Sequence, residues 1–361
     1  MEYPPVSVVM PVRNEERHLA EAVRHVLGQD YPGEFELVLA VGPSADRTEQ
    51  IARDLAAAER RLTVVANPAG TIPAALNAAV RTARHAVIAR VDGHALLPPG
   101  YLATAVATLA ETGAADAGGV MAAAGVTAFG QAVAWAMTSK AGVGSAAFHT
   151  GGGAGPVDSV YLGVYHREAI EQAGGWDEGM LRAEDWDLNY RIRARGGQIW
   201  FAPELRVTYR PRASVRALVA QYFHYGRWRR VIVREHPETA SFRYLAPPAA
   251  AALVAVGLIT GLAGLAAIAS LRGGTPPAAR WLTAGLAIPV IYLAGVTAVG
   301  AALARGVPAS VRIRIPLVLA AMHMAWGTGF LTSPRGLHRK PDARVGQPDA
   351  AAENAAAAGA E

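Results

Sequence analysis

Apolar runs short enough for strands alternate with stretches of helical period along the N-terminal part of the chain. Residues 6–12 form a compact β-branched run, 15–27 repeat their apolar positions at Leu19, Val23 and Leu27, and 36–41 are apolar again. The alternation continues through a helical 46–60, an extended 62–66, a helical 72–83 and an extended 86–91 that stops at Asp92. Strands separated by helices of this length predict an α/β domain, a Rossmann-like and mostly parallel sheet flanked by helices, with ligands beyond the carboxyl ends of its strands. Chemistry is therefore expected at Arg13-Asn14-Glu15, Pro43-Ser44-Ala45-Asp46, Asn67 to Thr71 and Asp92-Gly93-His94.

Toward the C-terminus the pattern changes. Residues 245–271 and 281–304 carry no charge, and 315–334 have His323 as their single ionisable group. Each run approaches the roughly 20 residues that cross a bilayer. Covering all three as a soluble core would take a far larger partner domain, so spanning or deeply embedded segments are expected, with Pro247-Pro248 shortening the first and Pro289 kinking the second. Met1 to Pro5 lack the basic and apolar parts of a signal peptide, which predicts a catalytic domain on the cytoplasmic side of a multi-pass cell-membrane protein. From that start, three full crossings would put Arg335, Arg339, Lys340 and Arg344 outside, against the positive-inside tendency. Two to three transmembrane helices are expected, one apolar run being interfacial or re-entrant. The resulting division is a catalytic domain at 1–212, an amphipathic interfacial segment at 213–244, a membrane domain at 245–334 and a disordered basic, Ala-rich tail at 335–361.

Composition narrows the function classes. There is no cysteine, which excludes disulfides and thiolate metal sites. The net charge of +5 comes with arginines spread thinly until Arg227, Arg229, Arg230 and Arg234, next to the apolar third. A basic cluster in that place suits anionic headgroups of a bilayer and not nucleic acid. The first strand is followed by Pro11-Val12-Arg13-Asn14-Glu15, without the phosphate-cradling glycines of a dinucleotide enzyme. Gly151-Gly152-Gly153-Ala154-Gly155 lacks the Lys-Ser/Thr of a P-loop and is a flexible loop or a substrate gate.

Two charged motifs carry the candidate chemistry. Asp92 and His94 stand at i and i+2 in a turn, where oxygen and nitrogen ligands suit Mn²⁺ or Mg²⁺ bridging a diphosphate. Glu184 and Asp185 open a helix expected at 186–195, where negative charge is favoured at the positive helix end. Each motif alone has a plain structural explanation, a glycine turn with an exposed histidine and an N-terminal helix cap. Their conjunction with a membrane anchor points to catalysis.

The chain resembles the inverting nucleotide-sugar glycosyltransferases of family 2, which have the GT-A fold. The likeness rests on Val8-Val9-Met10-Pro11-Val12-Arg13-Asn14-Glu15-Glu16, on Asn77 within Ala74 to Ala79, on Val91-Asp92-Gly93-His94, and on Gly174-Gly175-Trp176-Asp177 followed by Ala183-Glu184-Asp185-Trp186-Asp187-Leu188 and Arg191. These pieces keep family order over residues 5 to about 200. The Asp-Gly-His turn and the C-terminal spans look most like membrane glucosyltransferases that extend lipid-linked oligosaccharides in succinoglycan-type exopolysaccharide synthesis. The resemblance implies that Asp185 is the general base, oriented by Glu184, and that Asp92 and His94 hold the metal. It implies a donor pocket from Pro11, Arg13, Glu15, Asp46, Asn77 and Asp92, with UDP-sugars favoured, and a polyprenyl-diphosphate-linked acceptor met by Trp176, Trp186, Arg227, Trp228 and Arg229.

Two departures from the family pattern stand out. The Asp-Asp-Gly-Ser-x-Asp stretch whose leading Asp contacts uracil aligns with Val41-Gly42-Pro43-Ser44-Ala45-Asp46, and His94 replaces the second Asp of the metal motif. Gln221 to Trp228 only loosely echoes the Gln-x-x-Arg-Trp motif of processive synthases, which argues for non-processive transfer. A metal-dependent phosphoesterase using Asp92, His94 and Asp185, and a catalytically silent membrane scaffold, are the other classes that fit parts of the pattern.

Overall fold

The structure, a computed structural model, describes residues 3–270 and 277–338. Most of the expected tail, including all of 341–361, lies outside the described residues. Eight strands form one sheet: β1 (Val6–Val12), β2 (Phe35–Val41), β3 (Leu62–Ala66), β4 (Val87–Arg90), β5 (Asp116–Ala123), β6 (Gly155–Pro156), β7 (Tyr161–His166) and β8 (Ile199–Tyr209). Their order is β3-β2-β1-β4-β7-β5-β8-β6. β1 to β4 are mutually parallel, Val8 lying between Leu37 and Ala89, whereas β7 runs antiparallel to both β4 and β5.

Alternation along the strands divides the core in two. Val8, Met10, Leu37 and Leu39 meet Leu19, Val23 and Val26 of the helix Leu19–Leu27 on one face. On the other, Val9, Val38, Ala40 and Ile88 meet Ala75, Leu76 and Ala79 of the helix Ile72–Thr82. Successive strand residues point to opposite faces, so a sheet covered on both sides selects the uninterrupted apolar runs of the sequence. The first helix starts at Leu19 and not at Glu15, because the backbone of residues 14–16 is spent on loop contacts. Asn14 sits at φ 56°, a left-handed conformation that Asn tolerates, and the Glu15 amide donates to Thr48 Oγ1 at 2.7 Å.

Beyond the sheet, the helix Val215–Glu235 joins the sheet domain to three apolar helical segments. Two of these, Phe242–Ser270 with 29 residues and Pro277–Leu303 with 27, are long and apolar enough to cross a membrane and leave most of their surface uncovered by protein. Ile259, Trp281, Val290 and Ile291 are among the exposed side chains. Pro247 and Pro248 lie inside the first helix, and a tight 3₁₀ turn at Ala284–Leu286 precedes Pro289 in the second. Proline clashes with the carbonyl four residues earlier, here that of Gly285, which accounts for the altered winding.

The third apolar run behaves differently. Its helix Ile315–Leu331 has 17 residues and is packed by protein, with Ile315, Val318, Leu319 and Met322 fully buried against Leu218, Tyr222, Val133 and Met137. A β-carbon at Gly226 would lie 2.0 Å from the Trp326 carbonyl oxygen, so the helices Val215–Glu235 and Ile315–Leu331 cross backbone to backbone. Of the two to three crossings expected, with one run interfacial or re-entrant, this is the run that spends most of its apolar surface on the sheet domain and its own bundle.

Candidate active site

The loops after β1, β2 and β3 are tied to one another by their own polar groups. Arg13 donates from Nε to the Pro43 carbonyl at 3.2 Å and from Nη1 to the Gly70 carbonyl at 3.0 Å. Asn14 accepts from the Ala45 amide at 2.8 Å, and Asp46 accepts from the Glu16 amide at 3.2 Å and the Thr48 hydroxyl at 2.5 Å. That hydroxyl, with the Thr48 amide, holds the Asp46 carboxyl below its ordinary pKa. A β-carbon at Gly93 would meet Val12 Cγ1 at 2.8 Å, which lets the turn after β4 close against the end of β1 and its Pro11 carbonyl. Pro11, Arg13, Glu15, Asp46, Asp92 and His94 are therefore gathered at the carboxyl ends of the parallel strands.

Glu15 reaches from the loop after β1 to the turn after β4, its Oε1 lying 2.8 Å from His94 Nδ1. This bond raises the pKa of His94, and Asp92 adds to the effect against the opposing influence of burial. With Nδ1–H donated to Glu15, the Nε2 lone pair of a neutral His94 is free, the arrangement in which a carboxylate prepares a histidine for metal. No three His, Asp or Glu side chains converge into a cage among the described residues. A carboxylate and a neutral imidazole with substrate phosphate oxygens is nevertheless a donor set that suits a divalent ion bound together with its nucleotide.

The second motif is brought to the first by an arginine that sequence reasoning passed over. Arg90, last residue of β4 and 5% exposed, donates from Nη2 to Asp92 Oδ1 at 3.0 Å and to Glu184 Oε1 at 3.3 Å, while Nη1 pairs with Asp185 Oδ2. Burial works against its charge, but Asp92 and Glu184 outweigh it and hold the guanidinium above its ordinary pKa. Glu184 is pushed up by burial, with Arg90 opposing. The signal for Arg90 was present: a lone charge in an otherwise apolar strand, on the same face as the Asp two residues later.

Asp185 stands in the first turn of the helix Glu184–Ala194, whose N-cap Ala183 is left-handed at φ 61°. The indole of Trp176 donates to Asp185 Oδ1 at 3.0 Å. Asn77 clasps Trp176 by both backbone groups, accepting from its amide at 2.9 Å and donating to its carbonyl at 2.8 Å. Arg191 adds a bond to the Gly175 carbonyl at 2.7 Å while paired with Asp187. The Gly-Gly-Trp-Asp turn and the acidic helix start thus form one rigid piece.

Several residues expected to touch ligand are engaged by the protein itself in this structure. Trp176 is 1% exposed, its ring edge-on to Tyr165, and it offers no face to a sugar; Asn77 is taken up by Trp176 and by Glu178. Trp186 is stacked on Tyr190, with ring centroids 5.5 Å apart, and Trp228 is buried with Met180, Val231 and Ile232. Arg229 lies between the rings of Trp186 at 4.7 Å and Tyr244 at 4.0 Å, and burial lowers its pKa to about 10. Arg230 lies over Phe330, and Arg234 donates to the Ser333 and Pro334 carbonyls. The arginine cluster is thus a set of individually seated side chains and not a loose basic patch. After the last helix, His338 lies between Asp177 and Glu235, closing the chain over the Gly-Gly-Trp-Asp turn.

A mostly parallel sheet with carboxylates gathered at its strand ends is the architecture of a GT-A glycosyltransferase. It is similar to a mannosyltransferase from Pyrobaculum calidifontis solved with GDP-Man and Mn²⁺, with a TM-score of 0.58 and 22% identity over 92% of this chain and 88% of that one. The chain belongs to glycosyl transferase family 2, whose model matches residues 7–174. Its relatives include the succinoglycan biosynthesis protein ExoA of Rhizobium meliloti (strain 1021), 30% identical over 90% of this chain and 93% of that protein. Another, from Methanococcus voltae, is a dolichyl N-acetyl-alpha-D-glucosaminyl phosphate 3-beta-D-2,3-diacetamido-2,3-dideoxy-beta-D-glucuronosyltransferase, 20% identical over 64% of this chain and 74% of that protein.

Proposed function

We propose that this protein is a membrane-anchored inverting hexosyltransferase. It moves a sugar from a nucleotide-sugar, UDP-sugars favoured, to a polyprenyl-diphosphate-linked saccharide in exopolysaccharide or cell-envelope glycan synthesis. The observation that carries this reading is the junction at Arg90, where the base candidate Asp185 and the strand-end Asp92 hang from one guanidinium. A relative in succinoglycan biosynthesis and another named for a dolichyl-linked substrate support the acceptor class.

In this mechanism Asp185, its Oδ1 held by Trp176, takes the proton of an acceptor hydroxyl as that oxygen bonds to the anomeric carbon. Attack comes from the face opposite the diphosphate, whose bond to the anomeric carbon breaks with the electron pair leaving on oxygen. The centre inverts, so an α-linked donor gives a β-linkage. Glu184 orients its neighbour from the same helix turn, where the helix end favours both negative charges. Pro11, Arg13, Glu15 and Asp46 border the nucleoside, and Asn77 acts through Trp176. Asp92 and His94 would hold Mn²⁺ or Mg²⁺, which when bound neutralises charge on the departing diphosphate.

On the acceptor side, Arg227 Nε and Arg229 Nη1 are buried donors without a partner among the described residues, which supports an anionic group beside the helix Val215–Glu235. Two uncovered apolar helices support a bilayer anchor that returns the chain to the side it came from. Incubation with labelled nucleotide-sugars, a polyprenyl-diphosphate-linked acceptor and Mn²⁺ tests the reading. Sugar on lipid is expected; free phosphate without transfer would indicate a phosphoesterase, and neither product a silent scaffold.

A further inference from the structure

Arg90 has no part in the transfer steps above, yet it is the most constrained charge in the site. Its guanidinium is buried, meets Asp92 and Glu184 through Nη2 and Asp185 through Nη1, and leaves only Nε without a partner among the described residues. A buried cation persists where carboxylates compensate it, and these carboxylates come from two elements far apart in sequence, the turn after β4 and the helix Glu184–Ala194. The Arg90 fork is planar and rigid, so it fixes the separation and relative orientation of the groups on its two nitrogens. A lysine ammonium, a single point charge on a flexible stem, would supply the charge without the fork.

Asp185 is then held at both oxygens, Oδ1 by the Trp176 indole at 3.0 Å and Oδ2 by Arg90. Each carboxylate oxygen accepts more than one hydrogen bond, which leaves acceptor capacity for an incoming hydroxyl proton.

We propose that Arg90 is a positioning residue for sugar transfer, bridging Asp185 to Asp92 so that the base and the diphosphate end of the donor are held at one fixed spacing. This rests on the assignment of Asp185 as base, and the experiment separates the two. Full-length protein in nanodiscs is compared as wild type, Arg90→Lys, Arg90→Met, Asp185→Asn and the Arg90→Met/Asp185→Asn double variant. Folding is checked by circular dichroism, and binding of the nucleoside diphosphate released in the wild-type reaction is measured by calorimetry.

For Arg90→Met a fall in kcat of roughly 50-fold or more is expected, with donor KM and nucleotide Kd within about threefold, the pattern of an interaction used in the transition state. Arg90→Lys should recover part of the loss. The double variant should be no slower than Asp185→Asn, because a residue acting only through Asp185 has nothing left to position. A folded Arg90→Met with kcat near wild type overturns the proposal, as does a double variant in which the two losses multiply. If Arg90→Met does not fold, Arg90→Lys decides, since wild-type kcat there contradicts any need for the fork. An Asp185→Asn variant with wild-type turnover would contradict the transfer mechanism itself, whereas loss at Asp185 with none at Arg90 contradicts the positioning role alone.

Discussion

The indole N–H of Trp176 and the Oδ1 of Asp185 are 3.0 Å apart, joining a tryptophan that is 1% exposed to a half-buried carboxylate at a helix start. Because Asn77 grips the Trp176 backbone on both sides, the helix Ile72–Thr82 is linked through the tryptophan to the base candidate. Trp176→Phe keeps most of the buried ring and deletes the donor. Hydrogen bonds to charged groups contribute about 1.5–3 kcal/mol, so kcat is expected to fall by roughly ten- to a hundredfold. Donor KM should change little. Steady-state kinetics on the folded variant check this, and an unchanged kcat would mean that the indole serves packing alone.

The Asp92 and His94 pair makes a metal requirement testable. Chelation should abolish transfer, Mn²⁺ or Mg²⁺ should restore it, and Asp92→Ala should not be rescued by either ion. Glu15→Gln should weaken the response to metal by roughly 10- to 100-fold, the usual cost of losing the group that orients a ligating histidine. Full activity of wild type in excess chelator would remove the metal from the mechanism.

Near the amino end of β2, away from the carboxyl ends of the strands, Glu36 provides a pH-dependent probe of the sheet. Burial alone would raise its pKa, but bonds from Ser7 Oγ at 2.7 Å, the Arg84 amide at 2.7 Å and Arg84 Nε at 2.8 Å outweigh it, and the carboxyl is held below its ordinary value. A depressed carboxylate contributes stability above its unfolded pKa of about 4.3 and loses it as pH falls through the folded value. Glu36→Gln should therefore cost about 2 kcal/mol at neutral pH. In melting curves the gap to wild type should narrow only below about pH 4; a gap that stays constant through that range would contradict the assignment.

The uncovered apolar helices make their own prediction. Ile259 and Ile291 are 68% and 69% exposed. An Asp near a helix centre costs about 2.5–3.5 kcal/mol on insertion, so Ile259→Asp with Ile291→Asp should move the protein into the carbonate-extractable fraction. A matched Arg53→Asp change on the exposed face of the helix Thr48–Ala58 should not. Equal retention of both variants in the membrane pellet would show that these helices are not the anchor.

What could be read from the sequence, and what could not, follows from how local each signal is. Strands β1, β2 and β4 were legible because strands buried on both faces are mostly apolar runs, and the edge strand β3 through its β-branched Thr63-Val64-Val65; β1 and β3 fall where the pattern puts them. β5, Asp-Ala-Gly-Gly-Val-Met-Ala-Ala, has almost no β-branched content, and the insertion of β7 between β4 and β5 is a long-range pairing that leaves no local period. Asp92, His94, Glu184 and Asp185 could be nominated by motif. Arg90 could not be connected to them without the crossover that sets the helix Glu184–Ala194 over the end of β4. For Trp186, Trp228 and Arg229 the protein contacts were not legible, because an aromatic or arginine that packs and one that binds look alike in sequence. The run ending in helix Ile315–Leu331 could not be told from the two uncovered ones for a related reason, since composition does not distinguish lipid from protein as the apolar neighbour.

The central claim is that Asp185 is the base of an inverting sugar transfer. It is tested most directly by comparing wild type and Asp185→Asn under single-turnover conditions with the productive nucleotide-sugar and a lipid-linked acceptor, the anomeric configuration of the product being read by NMR. The account predicts an inverted linkage from wild type, and for Asp185→Asn an unchanged nucleotide Kd with transfer slowed by about 10² or more, the scale of a lost general base. A folded Asp185→Asn variant that transfers sugar at the wild-type rate, or a wild-type product with retained configuration, would contradict it.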